Sequence, residues 1–279
     1  MPPRRLRLDA ELVRRGLARS REHASELIAA KRVKVSGAVA TKAATGVTTD
    51  VAIVVSDDPD RPDYVSRGGH KLAGALAAFV PQGLTVEGRR CLDAGASTGG
   101  FTDVLLRAGA GQVVAVDVGY GQLAWSLQSD DRVVVHDRMN VRELTPDLID
   151  GPVDLVVGDL SFISLGIVLD ALLGVTREDG DLALMVKPQF EVGKERVGKG
   201  GVVRDLALRT EAVVGVAHAA AARGWGAQAV TTSPLPGPSG NVEFFLWLRR
   251  GPAAIGEDDI DRCVQEAAGL GVPGERVEP

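Results

Sequence analysis

Cysteine is scarce in this sequence, and long apolar runs are missing. The two cysteines, Cys91 and Cys263, lie far apart and lack the spacing of a zinc site, so neither a disulfide framework nor a bound metal is expected. No uninterrupted run of about 18 apolar residues occurs, which argues against a membrane-spanning helix. The Arg-rich N-terminus lacks the apolar core of a secretory signal. These absences predict a protein of the reducing cytoplasm, with no membrane and no metal partner.

The charge of the chain is unevenly distributed. Its 279 residues carry a formal net charge of −5 and are enough for one or two domains. The first 42 residues contain eleven Lys and Arg against four Asp and Glu, a net charge of +7 on the head of an acidic protein. This asymmetry predicts a polyanionic partner that contacts the N-terminal segment.

Residues 1–58 are predicted to form a small α+β domain. Apolar residues at helical spacing predict a helix over residues 6–19 with Asp9 as its N-cap, and Ser20 is expected to cap a second helix. Short alternating or apolar runs then predict a small sheet from residues 33–35, 39–41 and 47–55.

The run from Leu8 to Gly37, with Gly16-Leu17-Ala18-Arg19-Ser20-Arg21 at its centre, resembles the α-L RNA-binding motif. That motif occurs in a primary small-subunit ribosomal protein, pseudouridine synthases and tyrosyl-tRNA synthetases. The resemblance implies that basic side chains contact phosphates without reading sequence. The residues expected to bind RNA are Arg4, Arg7, Arg19, Arg21, Lys31, Arg32, Lys34 and, beyond the head, Arg67.

A polar, Pro-containing linker at residues 59–65 is predicted to separate the head from a larger domain, residues 66–250, and a C-terminal extension, residues 251–279. Apolar runs alternate with helical patterns in the larger domain, which predicts a mostly parallel, doubly wound α/β sheet of seven strands. The last two runs have no room for a helix between them, so an antiparallel last strand is expected. That arrangement is typical of Rossmann-like methyltransferases that use S-adenosylmethionine. The predicted strands are residues 90–93, 112–117, 132–136, 153–158, 181–187, 227–232 and 242–248, and the predicted helices are 99–108, 121–128, 165–173 and 205–223.

A glycine-rich stretch, Cys91 to Phe101, is predicted to form a strand, a tight turn and the start of a helix. It reads D-x-G-x-x-x-G-G and not the G-x-G-x-x-G of dinucleotide sites. Carboxylates around such a turn suit a ligand with an amino group and ribose hydroxyls, which favours S-adenosylmethionine over a plain strand–turn–helix. The residues expected to bind this cofactor are Asp93, Gly95, Ser97, Gly99, Gly100, Phe101, Asp117 and Asp137.

Four charged residues, Lys71, Asp159, Lys187 and Glu243, lie near predicted strand ends or at the helix before the sheet. Ligands of open α/β sheets bind at the carboxyl ends of the strands. Each residue alone has a structural explanation, such as a cap or a solvated face. Together, and in this order, they resemble the Lys-Asp-Lys-Glu tetrad of FtsJ-type ribose 2′-O-methyltransferases.

The tetrad suits the expected chemistry because a ribose 2′-hydroxyl is a poor nucleophile and needs a positioned base or acceptor. Lys187 is predicted to act as the base or as the group that positions the hydroxyl, while Asp159 and Glu243 hold the two lysines. Base methylation is disfavoured, because Asp159-Leu160-Ser161-Phe162 lacks the Pro-Pro-aromatic run of amino methyltransferases and no cysteine is placed as a nucleophile.

Head, Ser66-Arg67-Gly68-Gly69 run, glycine loop and the basic loop at residues 190–205 together resemble the TlyA family, also called haemolysin A. The resemblance implies a cytidine 2′-O-methyltransferase acting on small- and large-subunit ribosomal RNA, with ribosomal RNA or ribosomal subunits as partners. The basic loop is interpreted as a mobile lid that grips RNA, or as a flexible surface loop. Two other functions stay open: an RNA-binding assembly factor with a vestigial S-adenosylmethionine pocket, and a membrane-damaging haemolysin.

Overall fold

The computed structural model describes residues 5–56, 62–237 and 239–270. The chain divides into two compact units, Met1–Val65 and Ser66–Pro279.

The first unit packs two helices against short strands. Its core consists of apolar side chains from both helices and from the strands, among them Leu8, Leu12, Leu27, Ile28 and Val33. The elements are β1 (Leu6–Arg7), α1 (Leu8–Arg14), α2 (Arg21–Ala29), β2 (Val33–Val35), β3 (Ala38–Val39), β4 (Gly46–Val47) and β5 (Ile53–Val55). The strands pair antiparallel, β1 with β4 and β2 with both β3 and β5.

The prediction for the second helix of this unit is confirmed, because the Ser20 hydroxyl accepts a hydrogen bond from the His23 N–H at 3.1 Å. The prediction for the first helix is wrong at both ends. It spans only Leu8–Arg14, and Asp9 is not its N-cap but lies inside it. The Asp9 carboxylate turns to arginines instead, which accounts for an acidic residue so early in the helix.

The second unit alternates strands and helices along most of its length. Its helices are α3 (Gly68–Phe79), α4 (Gly100–Arg107), α5 (Trp125–Gln128), α6 (Leu165–Val175), α7 (Pro188–Glu191), α8 (Leu206–Ala221) and α9 (Glu257–Glu266). Its strands are β6 (Arg90–Ala94), β7 (Gln112–Asp117), β8 (Val133–Asp137), β9 (Val153–Gly158), β10 (Thr176–Val186), β11 (Trp225–Thr232) and β12 (Phe244–Arg250).

The predicted seven-stranded sheet is confirmed, with the order β11-β12-β10-β9-β6-β7-β8. Strand β12 runs antiparallel to both of its neighbours, β10 and β11, whereas β10, β9, β6, β7 and β8 pair parallel. The central strands are nearly continuous apolar runs because helices cover both of their faces.

Side chains that alternate along β12 show the two covered faces. Leu246 and Leu248 pack into the main core with α6, α8 and α9. Phe245 and Trp247 point the other way, to Phe101 of α4 and Phe79 of α3, with ring centroids 5.9 and 5.8 Å apart. The sheet is therefore doubly wound, as expected.

In the second unit, two boundaries differ from the prediction by more than two residues. Strand β10 begins at Thr176 and not at residue 181, because a polar extension pairs Thr176 with Val153 before a register shift. Helix α5 covers only the second half of the predicted 121–128, since Gly121 has a φ of +62° and ends any helical path there. Within the described residues, none of the helices has the length and apolar character needed to cross a membrane.

Candidate active site

A cavity of about 450 Å³ opens at the carboxyl ends of β6, β7 and β9. Its size falls in the usual range for small-molecule sites. Its walls combine a few polar groups with apolar side chains, and they are formed by Gly95, Ser97, Asp117, Val118, Gln122, Asn140, Val141, Asp159, Leu160, Ser161, Phe162, Ile163 and Val168. Three of the residues predicted to bind the cofactor, Gly95, Ser97 and Asp117, therefore lie on this wall.

The glycine turn presents backbone directly to the cavity. Gly95 has a φ of +86°, and a Cβ there would lie 3.1 Å from the carbonyl oxygen of Asp159, so a side chain would collide with the neighbouring loop. The Ser97 N–H donates to Asp117 Oδ2 at 2.8 Å, and the Gly119 N–H donates to Asp117 Oδ1 at 2.7 Å. These two bonds fix the Asp117 carboxylate at the cavity edge.

Three other residues of the predicted cofactor set lie in packing positions and not among the wall residues of the cavity. A Cβ on Gly99 would meet Leu127 at 2.2 Å, and one on Gly100 would meet the Gly69 nitrogen at 2.8 Å. Phe101 is buried and packs on Phe245. The glycines let α3 and α5 approach the start of α4 closely, and a contact between these three residues and a cofactor stays a prediction.

Asp93 and Asp137 are also not among the wall residues of the cavity. Asp93 is fully buried, and its Oδ2 accepts a hydrogen bond from the Thr102 hydroxyl at 2.7 Å. Burial raises the pKa of this carboxyl to about 7. Asp137 accepts a bond from the Gly121 N–H at 2.9 Å and so holds the loop after β7. Both carboxylates support the loops of the site, and their direct contact with a cofactor stays a prediction.

The structure brings the four residues of the predicted tetrad together beside this cavity. The Lys71 ammonium lies 2.5 Å from Glu243 Oε2 and 4.0 Å from Asp159 Oδ2. The Lys187 ammonium lies 2.5 Å from Asp159 Oδ1. The charges thus alternate along one line, from Glu243 through Lys71 and Asp159 to Lys187, and their formal sum is zero.

Local sequence accounts for the positions of the two lysines. Lys71 lies in the first turn of α3, on the buried face that also carries Leu72. Pro188 begins α7 and keeps Lys187 extended at the end of β10 (φ −112°, ψ 101°). Lys71, Lys187 and Glu243 are 5%, 6% and 1% exposed. Charges this deeply buried need paired partners, and the alternation supplies them.

Sequence reasoning missed several residues of the site. The Ser161 hydroxyl accepts a hydrogen bond from Lys187 Nζ at 2.9 Å. Phe162 is 91% exposed at the cavity, has a φ of +64°, and its ring centroid lies 5.4 Å from that of Phe190. An exposed aromatic residue in strained backbone is unusual. The sequence did indicate a role for Phe162 in the site, because this residue directly follows Asp159-Leu160-Ser161.

The basic loop at residues 190–205 is attached to the rest of the unit at several points, and its interpretation as a mobile lid or as a flexible surface loop stays a prediction. Val192 and Val203 are buried against Ala212 of α8. Arg196 pairs with Glu211 at 2.7 Å. The buried Asn241 accepts a bond from the Val203 N–H and donates to the Gly201 carbonyl. Lys194, Lys199 and Arg204 remain exposed.

The basic residues of the first unit fall into two groups. Arg7 and Arg21 share the buried Asp9 carboxylate at 2.9 Å each, and these arginines lower the pKa of Asp9. Arg32 pairs with Asp63, and Arg19 donates to the Tyr64 carbonyl. The other group, Lys31 and Lys34, is exposed, as is Arg67 in the second unit. Arg4 lies outside the described residues. RNA contact by all of these residues stays a prediction.

Comparison with known proteins decides the family. A family profile described as FtsJ-like methyltransferase matches residues 64–250, and one described as S4 domain matches residues 6–53. A 16S/23S rRNA (cytidine-2'-O)-methyltransferase TlyA of Mycobacterium tuberculosis is 59% identical over 268 residues, 94% of this chain and 98% of that protein. The chain belongs to the TlyA family.

This membership confirms the predicted enzyme class, a methyltransferase with an FtsJ-like domain and an RNA-binding S4 head. Other TlyA-like relatives carry haemolysin names. Hemolysin A of Brachyspira hyodysenteriae is 36% identical over 242 residues, 86% of this chain and 98% of that protein. A solved structure of a candidate hemolysin from Streptococcus thermophilus is 35% identical, covers 95% of this chain and 96% of that chain, and superposes with a TM-score of 0.70.

Proposed function

We propose that this protein transfers the methyl group of S-adenosylmethionine to the 2′-hydroxyl of cytidines in small- and large-subunit ribosomal RNA. The observation that carries the proposal is the line of four alternating charges, three of them buried and Asp159 partly exposed, that ends at Lys187 beside the cavity. The 59% identical relative, named for this reaction, supports the same choice of substrate.

The cavity fits S-adenosylmethionine by the chemistry of its walls. The fixed Asp117 carboxylate offers acceptors to ribose hydroxyls, and Gly95, which has no side chain, lines the cavity with its backbone. Val118, Val141 and Ile163 give apolar surface for the adenine ring. The bound molecule supplies an electrophilic methyl group, and every other part of the reaction belongs to protein and RNA.

Lys187 is the group proposed to meet the ribose hydroxyl. Its Nζ holds Asp159 and Ser161 at 2.5 and 2.9 Å, so two of its hydrogen-bonding directions are fixed and the remaining one is oriented. As a neutral amine, this lysine can donate its two N–H groups to Asp159 and Ser161 and accept the hydroxyl proton with its lone pair. As an ammonium, it can only donate to the hydroxyl oxygen and orient that oxygen in line with the methyl carbon. Lys71 and Glu243 support it at a distance, by fixing Asp159 and balancing the charge.

The RNA side of the proposal rests on exposed groups. Phe162 presents an aromatic face at the cavity mouth, where an unstacked base can rest while its ribose meets Lys187. Base–aromatic stacking is worth about 1–3 kcal/mol and does not require a particular base. Lys31 and Lys34 of the S4 unit and Lys199 of the basic loop are exposed cations suited to phosphates.

The class of reaction is tested by locating the transferred methyl group. Purified protein is incubated with labelled S-adenosylmethionine and ribosomal subunits from cells that lack the corresponding activity. The proposal expects label in cytidines whose 3′ phosphodiester resists alkaline cleavage, since that cleavage needs a free 2′-hydroxyl. RNA that the protein has already methylated serves as the control and should take up no further label. Label on a base, or none in any RNA, would overturn the proposal.

A further inference from the structure

Two loops meet at the catalytic end of the sheet. One joins β9 to α6 and carries Asp159, Ser161 and Phe162. The other begins with Lys187 after β10 and continues through α7. Any group that sets the distance between these loops also sets the distance between Asp159 and Lys187.

Two sets of contacts that connect the loops lie near the cavity. Lys187 contacts both Asp159 and Ser161. Phe190, three residues further along, contacts the ring of Phe162. Phe162 is almost fully exposed and has a φ of +64°, an unfavourable conformation for a residue other than glycine that persists only where its surroundings hold it.

Glu191, the last residue of α7, makes the third set of contacts between the loops. Its Oε1 accepts a hydrogen bond from the Leu165 N–H at 2.8 Å, and its Oε2 accepts one from the Ser164 hydroxyl at 2.6 Å. Both donors lie at the start of α6, two or three residues after Phe162. Glu191 therefore joins the segment that follows Lys187 to the segment that follows Phe162.

We infer that Glu191 is a positioning residue for methyl transfer, a clamp between the two loops that keeps Asp159, Ser161 and Phe162 in register with Lys187. This inference rests on the function proposed above. A misplacement of about 1 Å in a catalytic group can lower a rate about a hundredfold, so a clamp four residues from Lys187 has direct leverage on the reaction.

The test compares three substitutions of Glu191. Glu191→Gln keeps an acceptor for the Leu165 N–H and can donate to the Ser164 oxygen, so kcat should stay within about twofold of the wild type. Glu191→Asp keeps the charge but is one methylene, about 1.5 Å, too short. Glu191→Asp and Glu191→Ala should each lower kcat about tenfold or more, while the KM for S-adenosylmethionine changes less than about threefold.

A matched control separates positioning from simple helix capping. Asp259 is also a carboxylate at a helix N-terminus, and it accepts a bond from the Gly256 N–H at 3.0 Å at the start of α9. Asp259→Ala should leave kcat unchanged even where it lowers the melting temperature. Equal kcat in Glu191→Ala and the wild type, or equal losses in Glu191→Gln and Glu191→Ala, would overturn the clamp.

A second readout does not depend on activity. Hydrogen–deuterium exchange at the Leu165 amide, resolved by fragmenting a peptide that covers residues 159–168, reports the loss of this hydrogen bond. Exchange should rise at least tenfold in Glu191→Ala and stay at the wild-type rate in Glu191→Gln. Unchanged exchange in Glu191→Ala would refute the clamp. A wild-type protein that methylates no RNA, but whose exchange responds as expected, would refute the proposed function alone.

Discussion

The ion pair between Lys71 and Glu243 gives a quantitative prediction for stability. Glu243 is 1% exposed, and its carboxylate lies 2.5 Å from the Lys71 ammonium. At an effective dielectric constant of about 20, two unit charges at this distance attract by about 7 kcal/mol before the cost of desolvation is counted. Removing one partner of such a pair leaves a buried charge unpaired, which typically costs about 3–5 kcal/mol.

Lys71→Met should therefore lower the free energy of unfolding of the second unit by about 3–5 kcal/mol. Adding Glu243→Gln should recover part of the loss, because the carboxamide carries no charge. Urea unfolding followed by tryptophan fluorescence measures this directly, since Trp125, Trp225 and Trp247 all belong to the second unit.

A surface pair provides the control. Arg223 and Asp170 are also 2.5 Å apart, but their side chains are 34% and 74% exposed. A double-mutant cycle on this pair should give a coupling of only about 0.2–1 kcal/mol. A loss below about 1 kcal/mol for Lys71→Met, or equal coupling in the buried and the exposed pair, would refute the reasoning from burial.

Three further predictions concern pH, substrate and packing. Burial raises the pKa of Asp93 to about 7, against about 3.9 when this carboxyl is exposed. Between about pH 4 and pH 7 the carboxyl has lost its proton only in the unfolded chain, so the free energy of unfolding should fall as the pH rises through this range. Asp93→Asn should abolish that fall, on the order of 4 kcal/mol, in urea unfolding at pH 4 and 8; an unchanged pH profile would contradict it. Phe162→Leu should reduce kcat/KM for RNA about tenfold and Phe162→Tyr should restore it in steady-state assays, while equal activity of all three proteins would argue against stacking. Gly99→Ala puts a methyl group 2.2 Å from Leu127 at a φ of +95° and should lower the melting temperature by several degrees. Gly174→Ala, whose added methyl group has nothing within 4 Å, should leave the melting temperature unchanged. Equal melting temperatures of the two variants would refute the packing argument.

The four tetrad residues could be predicted from their resemblance to the FtsJ-type tetrad, and the topology of the sheet explains why three of them meet at one edge. Asp159 and Lys187 each follow an apolar run, and parallel strands bring their carboxyl ends to one edge of the sheet. Glu243 joins them because β12 pairs antiparallel with β10, so Glu243, the residue before β12, lies at the same edge as the last residue of β10. The short connection between the last two apolar runs was enough to predict that the last strand is antiparallel.

Other features depend on details that residue patterns do not encode. Asp93 also ends a strand, but its side chain turns under the glycine loop to Thr102, so strand position alone did not separate it from Asp117. The left-handed backbone of Phe162 and the bonds from Glu191 to the start of α6 are set by tertiary contacts between loops. Asp9 lies early in a helix and was therefore interpreted as its N-cap, but its carboxylate binds two arginines instead.

The rate of methyl transfer to ribosomal RNA in a single turnover, at saturating S-adenosylmethionine and RNA, tests the role of Lys187 most directly. Lys187→Met keeps the length and apolar volume of the side chain but removes the amine. The transfer rate of this variant should fall at least about a hundredfold, with binding of S-adenosylmethionine and RNA unchanged. Transfer within about threefold of the wild-type rate would show that the amine at the end of the charged line has no part in the chemistry.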